Sequence, residues 1–304
     1  MPKKQRIRKE ELKVMSSGLA YFITLVIVYI LVVWGALIPF RAGLLYNGTV
    51  YVMAIGGYTA GFLSKTLGLN FWLCIVAAII TGLIFGFIPA LGFSRTNGIV
   101  TAISSMALIF IIQSIIKNID FLGGTRGLRG IQKVPELPWF AIIILVIFGV
   151  FLYRLFNSRI GRAWEAIATD PQMAQTLGVN TKRMTIVALT LSSVFAAVGG
   201  AVFAFNIRVI YPGTFSFTFL LNVMTMLFVG GRFTQWGVII SAPLLWSINV
   251  YMPEAVQKLS NYIFAGLLII VLMLRPEGIV TRKMVLRVKN FFKGLFSKKQ
   301  EEAA

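Results

Sequence analysis

The stretch "GRAWEAIATDPQMAQTLGVN", residues 161–180, is polar and sits between two apolar runs, 138–156 and 184–206. It is not written as a plain loop. Gly161 breaks away from the preceding run, and "RAWEAIAT" is made of good helix formers. Asp170 followed by Pro171 reads as an N-cap with proline in the first helical position. The next turn and a half, "QMAQTL", stops at Gly178, a residue suited to a helix C-cap. Two short helices are predicted, with Ala163, Ala166, Ile167, Met173, Ala174 and Leu177 as apolar contacts. Helices this short are unstable alone in water, so they must dock on something. Arg154, Arg159, Arg162, Lys182 and Arg183 make the insert basic, which places it in the cytoplasm if its neighbours span a membrane.

They have the composition to do so. The 304 residues are 58% hydrophobic and only 13% charged, whereas about a quarter of a soluble domain is charged. Apolar stretches are drawn at 17–39, 43–64, 70–93, 98–117, 138–156, 184–206, 218–231, 236–252 and 260–274. Several reach the roughly 20 residues that cross about 30 Å of hydrocarbon as a helix. The expected fold is an all-α, polytopic transmembrane bundle. It forms one membrane domain over 17–281, with a cytoplasmic insert at 157–183 and basic tails at 1–16 and 282–304.

The net charge of +19 would suggest nucleic acid in a soluble chain. Here the cations crowd beside the outermost spans, from Lys3 to Lys13 and from Arg282 to Lys299, so no nucleic-acid partner is expected. The positive-inside rule puts both tails in the cytoplasm. They also suit anionic membrane lipid, and "MVLRVKNFFKGLF" (284–296) reads as a basic amphipathic helix, although topology and solvation explain these charges more simply.

Nine stretches cannot join two cytoplasmic ends. Counting from the insert puts loop 118–137 and Lys65 outside and Arg95 inside. The stretch "AGLLYNGTVYVMAIGGYTAGFLS" (42–64) is then the odd one, starting and finishing outside. Its Asn47, Thr49 and five glycines suit a broken or re-entrant segment.

Much chemistry is missing. The chain has no histidine and a single cysteine, Cys74, so zinc, haem and cysteine–histidine sites cannot be assembled in the usual ways. No phosphate-binding GxxxxGK[ST] loop is present, so the chain is not expected to hydrolyse ATP or to be an enzyme, and no cofactor is expected. All ten carboxylates lie in tails, loops or span ends, leaving none at mid-membrane to bind a coupling ion. Uphill transport would need another subunit to drive it.

The insert resembles the coupling-helix region of ABC importer permeases, specifically the LivM-type family of branched-chain amino acid importers. "NGTVYVMAIGGYTAGFLS" (47–64), "RTNGIVTAISSMALIFII" (95–112), "GGTRGLRGI" (123–131), "SFTFLLNVMTMLFVGGRFTQWGVIISA" (216–242) and "LLIIVLMLRPEGI" (267–279) resemble other blocks of that family, over about 17–281 in all. The resemblance implies a subunit of a bacterial or archaeal plasma membrane. Its partners would be a second homologous permease, two cytoplasmic ATPases that bind the ATP, and an external solute-binding protein. It also implies that Ala163, Glu165, Ala166, Asp170, Leu177 and Gly178 lie in or around the ATPase contact, with Arg162 as an ionic partner. The chain departs from the family pattern at Thr49, where a histidine is common, and at Trp164 and Glu165, where a smaller apolar residue and a basic one are frequent.

Tyr46, Asn47, Thr49, Gln113 and Asn222 are the candidates for the translocation path, because polar groups in spans face the bundle interior. Hydrogen bonding between helices explains them equally well. Branched-chain or other hydrophobic amino acids lead as solutes, ahead of urea, short amides or other small metabolites. A self-sufficient channel or facilitator is the alternative, and it gives the capped insert no role. A membrane-embedded enzyme or scaffold comes last.

Overall fold

The computed structural model describes residues 3–231 and 234–251, together with 266, 269, 270 and 273. Apart from those last four residues, the expected stretch 260–274 lies outside the described residues, as does the basic tail 282–304 with its amphipathic helix. The described chain is helical: α1 (Lys3–Arg41), α2 (Thr49–Thr66), α3 (Phe71–Phe93), α4 (Gly98–Lys117), α5 (Leu137–Asn157), α6 (Arg159–Thr169), α7 (Pro171–Thr176), α8 (Thr181–Ile207), α9 (Phe217–Gly230) and α10 (Gln235–Tyr251). Two short strands, β1 (Leu128–Arg129) and β2 (Val209–Ile210), pair antiparallel. Among the described residues six helices are long and apolar enough to cross a membrane: Gly18–Arg41, α3, α4, α5, α8 and Pro212–Gly230.

The chain divides into two compact units, residues 1–223 and 224–304. In the first, α8 is the central post, packed against α1, α2 and α3; it is 78% buried over its most apolar stretch and the α1 span 83%, against 22% for α4 and 28% for α5. Its sequence explains this. "SSVFAAVGGA" (192–201) carries small side chains that let neighbouring backbones approach, which is how helices associate where lipid removes the hydrophobic incentive. A Cβ at Gly57 of α2 would stand 3.0 Å from the Gly200 carbonyl oxygen, and one at Gly35 of α1 would stand 2.9 Å from that of Ser192. A side chain at Gly200 would overlap the Met53 carbonyl. The glycine pairs at 56 and 57 and at 199 and 200 therefore serve helix contact. In the second unit Gly230 lies close against Gly237, and the Ser241 hydroxyl donates to the Met226 carbonyl at 2.7 Å.

Two expectations about sidedness are corrected. The end of α1 reaches the insert, where Arg41 pairs with Glu165. Its other end meets the far end of α8, where the Asn206 amide donates to the Tyr21 carbonyl at 3.4 Å. The start of the α1 span therefore lies at the opposite end of the first unit from the insert, and not at the same end as charge counting implies. Nor does the second stretch begin and end on one side. Tyr46, just before α2, faces Phe93 at the end of α3, whereas the far end of α2 brings Ser64 to the Gln132 backbone N–H at 3.3 Å. The helix itself is unbroken from Thr49 to Thr66, and the irregular backbone precedes it at 42–48. Twelve of its 18 residues are buried in protein, which explains polar content that lipid would not tolerate. Charge counting misses this arrangement because it is fixed by contacts far apart in sequence.

Candidate functional site

The insert is built from its caps. The Ser158 hydroxyl accepts from the N–H groups of Ile160 and Gly161 at 3.2 and 3.4 Å, so Ser158 caps α6, which begins at Arg159, ahead of Gly161. Gly161 lies inside the first turn, where any side chain would run into the Phe156 carbonyl. The Asp170 carboxylate accepts from Gln172 and Met173 at 2.8 and 3.1 Å, with Pro171 opening α7. Gly178 closes it at φ +83°, a left-handed conformation that glycine adopts at no steric cost. Both predicted short helices are present.

Their apolar residues divide into two groups. Gly161, Trp164 and Ile167 recur every three residues along α6 and are buried, as is Ala174 of α7. Trp164 is fully enclosed and its indole N–H donates to the Met184 carbonyl at 3.0 Å, fastening α6 to the start of α8. Met173 and Leu177 point the other way, 65% and 75% exposed at the tip of α7. Ala163 and Ala166 are half-buried, while Arg162 is exposed and its guanidinium donates to the Asn157 carbonyl at 3.1 Å. Asp170 and Gly178 are exposed as well. Glu165 turns toward Arg41, whose guanidinium lies 4.4 Å from the Phe156 ring centre.

The path candidates do not form one lining. Tyr46 and Thr49 are fully buried inside the first unit. The Tyr46 hydroxyl stands 3.1 Å from that of Tyr51, which donates to the Phe85 carbonyl at 3.2 Å. The Thr49 hydroxyl is enclosed without a hydrogen-bond partner. Asn47, Gln113 and Asn222 are half-buried on separate elements. Asn47 donates from its backbone to Ser105 Oγ at 3.0 Å and from its side chain to the Ala102 carbonyl at 3.4 Å. Gln113 donates to the Phe215 carbonyl. For Asn47 and Gln113 these bonds join elements of the bundle.

A family model described as branched-chain amino acid transport system, permease component, matches residues 18–273. The chain belongs to this family. It is thus the permease component of an ABC transporter, a non-catalytic transport subunit of a multi-pass membrane system. The permease is 27% identical to the high-affinity branched-chain amino acid transport system permease protein LivM of Escherichia coli K12, over 90% of this chain and 73% of LivM. It is 30% identical to LivH, the permease protein of the same description from that organism, over 43% of this chain and 42% of LivH. The nucleoside ABC transporter permease protein NupC of Lactococcus lactis is 25% identical over 69% of this chain and 74% of NupC.

Reasoning from the permease's sequence passed over one residue of the insert's surroundings, Arg41. A cation closing an apolar run just before Gly43 is the signal that could have found it.

Proposed function

We propose that this permease forms the translocation path of an ATP-driven importer for branched-chain or other hydrophobic amino acids. Residues 17–281 would form the membrane domain, flanked by the tails 1–16 and 282–304. It would work beside a second homologous permease, two cytoplasmic ATPases and an external solute-binding protein. One observation carries the reading: the insert is fastened at its base by Trp164, Ile167 and Ala174 while Met173 and Leu177 stand exposed at its tip. An apolar tip on a rigid base is what a partner surface grips. Arg162, Ala163, Glu165, Ala166, Asp170, Leu177 and Gly178 are the residues of the tip and its support. Tyr46, Asn47, Thr49, Gln113 and Asn222 remain the path candidates, with Tyr46 and Thr49 acting from inside the wall.

With the insert in the cytoplasm of a bacterial or archaeal cell, the start of the α1 span lies on the outer side. On that reading the nine apolar stretches drawn from the sequence would join an outer end to an inner one, without the parity conflict. LivM and LivH are two permease proteins of one description from one organism, and each resembles this chain, which supports a mixed pair. The resemblance to NupC supports a second reading of the solute, as a nucleoside or another small polar metabolite such as urea or a short amide.

The test is gentle-detergent purification of the tagged chain from its host, with mass spectrometry of what accompanies it. Two ATPases and a second permease, lost on Leu177→Asp, are the expected result. A solitary chain that passes solute in vesicles would instead establish a channel.

A further inference from the structure

Arg41 stands where three features meet. It is the last residue of α1, it pairs with Glu165 of the insert, and its guanidinium lies 4.4 Å from the Phe156 ring centre. Its side chain is 14% exposed, against 36% for Glu165, so one partner is held inside and the other reaches out to it. The Arg41 Nε is buried with no hydrogen-bond partner, so the ion pair and the ring are what fix the group. Two residues on, Gly43 takes φ +74° and lies so close to Ala168 of α6 that a Cβ there would meet the Ala168 backbone at 2.8 Å.

Those contacts attach the insert to residues 42–48, the irregular stretch between α1 and α2. That stretch is itself bonded inward. Tyr46 joins Tyr51 and, through it, the Phe85 carbonyl of α3, while Asn47 joins Ser105 and Ala102 of α4. The backbone bonds of its first residues, Ala42 to Leu44, run back to α1, and Gly48 accepts from Val52 of α2, so between them Leu45 to Asn47 form a non-helical link that can change shape at lower cost than the helices on either side. A chain of packed and hydrogen-bonded groups therefore runs from α6 to α3 and α4, the kind of network through which coupling can pass.

We infer that Arg41 is a positioning residue through which movement of the insert is passed to segment 42–48, an inference that rests on the importer reading above. The residue type suits the task. A planar guanidinium holds an aromatic face and a carboxylate together, so the link keeps its direction as well as its charge.

The experiment uses the complete transporter in lipid, with Cys74→Ala and Leu45→Cys carrying a nitroxide. Leu45 lies within the segment and is 48% exposed. In the otherwise unaltered chain the spectrum should differ between the nucleotide-free state and one trapped with a non-hydrolysable ATP analogue. Arg41→Gln and Glu165→Gln should each abolish that difference and lower transport per ATP hydrolysed by about fivefold or more, and in Arg41→Gln, which lies outside the proposed ATPase contact, the ATPases should stay bound. Arg41→Lys should keep much of the response. Should Arg41→Gln not fold, Glu165→Gln decides, because its partly exposed side chain can be changed without a void. An unchanged spectral response and unchanged transport per ATP in Glu165→Gln overturn the inference alone, as does a label that ignores nucleotide in the Arg41–Glu165 parent. Absence of ATPases from the unaltered chain removes the importer reading and this inference with it.

Discussion

The two ends of the first unit are held by different means. At the insert end, complete short helices with their own caps are attached by side chains: Trp164 to α8, and Glu165 to Arg41. At the opposite end the backbone does more of the holding, beside side-chain bonds such as that of Tyr58 to the Ile210 carbonyl. Gly123, Gly124, Gly127 and Gly130 all take positive φ, and β1 pairs with β2 through Leu128 opposite Ile210 and Arg129 opposite Val209. A piece with finished internal hydrogen bonds and a few side-chain anchors can shift as a body. A glycine-shaped loop tied by a ladder keeps its form or loses it.

The largest contrast to seek is one of side. With Cys74→Ala as background, an impermeant thiol reagent added to intact cells should label Gly18→Cys and leave Met173→Cys untouched. Gly18 has open space around it and Met173 is exposed, so neither change disturbs packing. Labelling of both, or of neither, would break the assignment of the ends. Next in size is Trp164→Ala, which empties a fully buried site and removes an indole hydrogen bond. A loss of about 3–5 kcal/mol is expected, read as a lower unfolding midpoint in detergent and faster cleavage by trypsin at Arg159 or Arg162.

Gly127→Ala tests the other end. Its φ of 75° and ψ of 163° belong to glycine, and a Cβ would run into the Ile210 carbonyl. The cost should be about 1–3 kcal/mol, with faster amide exchange confined to 123–131 and 208–211 and ATPase binding intact. The smallest effect belongs to the cap. Asp170→Ala should cost about 0.5–2 kcal/mol of insert stability, and Asp170→Asn should recover most of it. Equal losses from the two would show that the carboxylate's charge, and not its capping oxygen, matters.

Local signals were readable in the sequence. The stretch drawn at 98–117 is α4, and 138–156 and 184–206 differ from α5 and α8 by three residues or fewer at either end, because apolar runs of that length are bounded by charge and turn residues. Asp170–Pro171 and Gly178 marked both ends of α7 because capping is chemistry between neighbours. What escaped was long-range. Arg41 and Glu165 are 124 residues apart, and no local pattern joins them. Trp164 stood out in sequence only as an unusually large residue, yet it is the enclosed anchor of α6. The start of α1 was placed by counting charge, whereas its end of the first unit is fixed by the Asn206–Tyr21 bond to α8 and by Arg41 reaching the insert.

α8 enters directly from the insert and leaves directly into β2, with its closest helix contacts gathered between Ser192 and Gly200. It has the proportions of a lever. The arm from Thr181 to Ser192 is about 16 Å long, and the arm from Gly200 to Ile207 about 10 Å, at 1.5 Å per residue. A sideways push on the insert would reach the opposite end reversed in direction and reduced to about two-thirds in size, by the ratio of those arms.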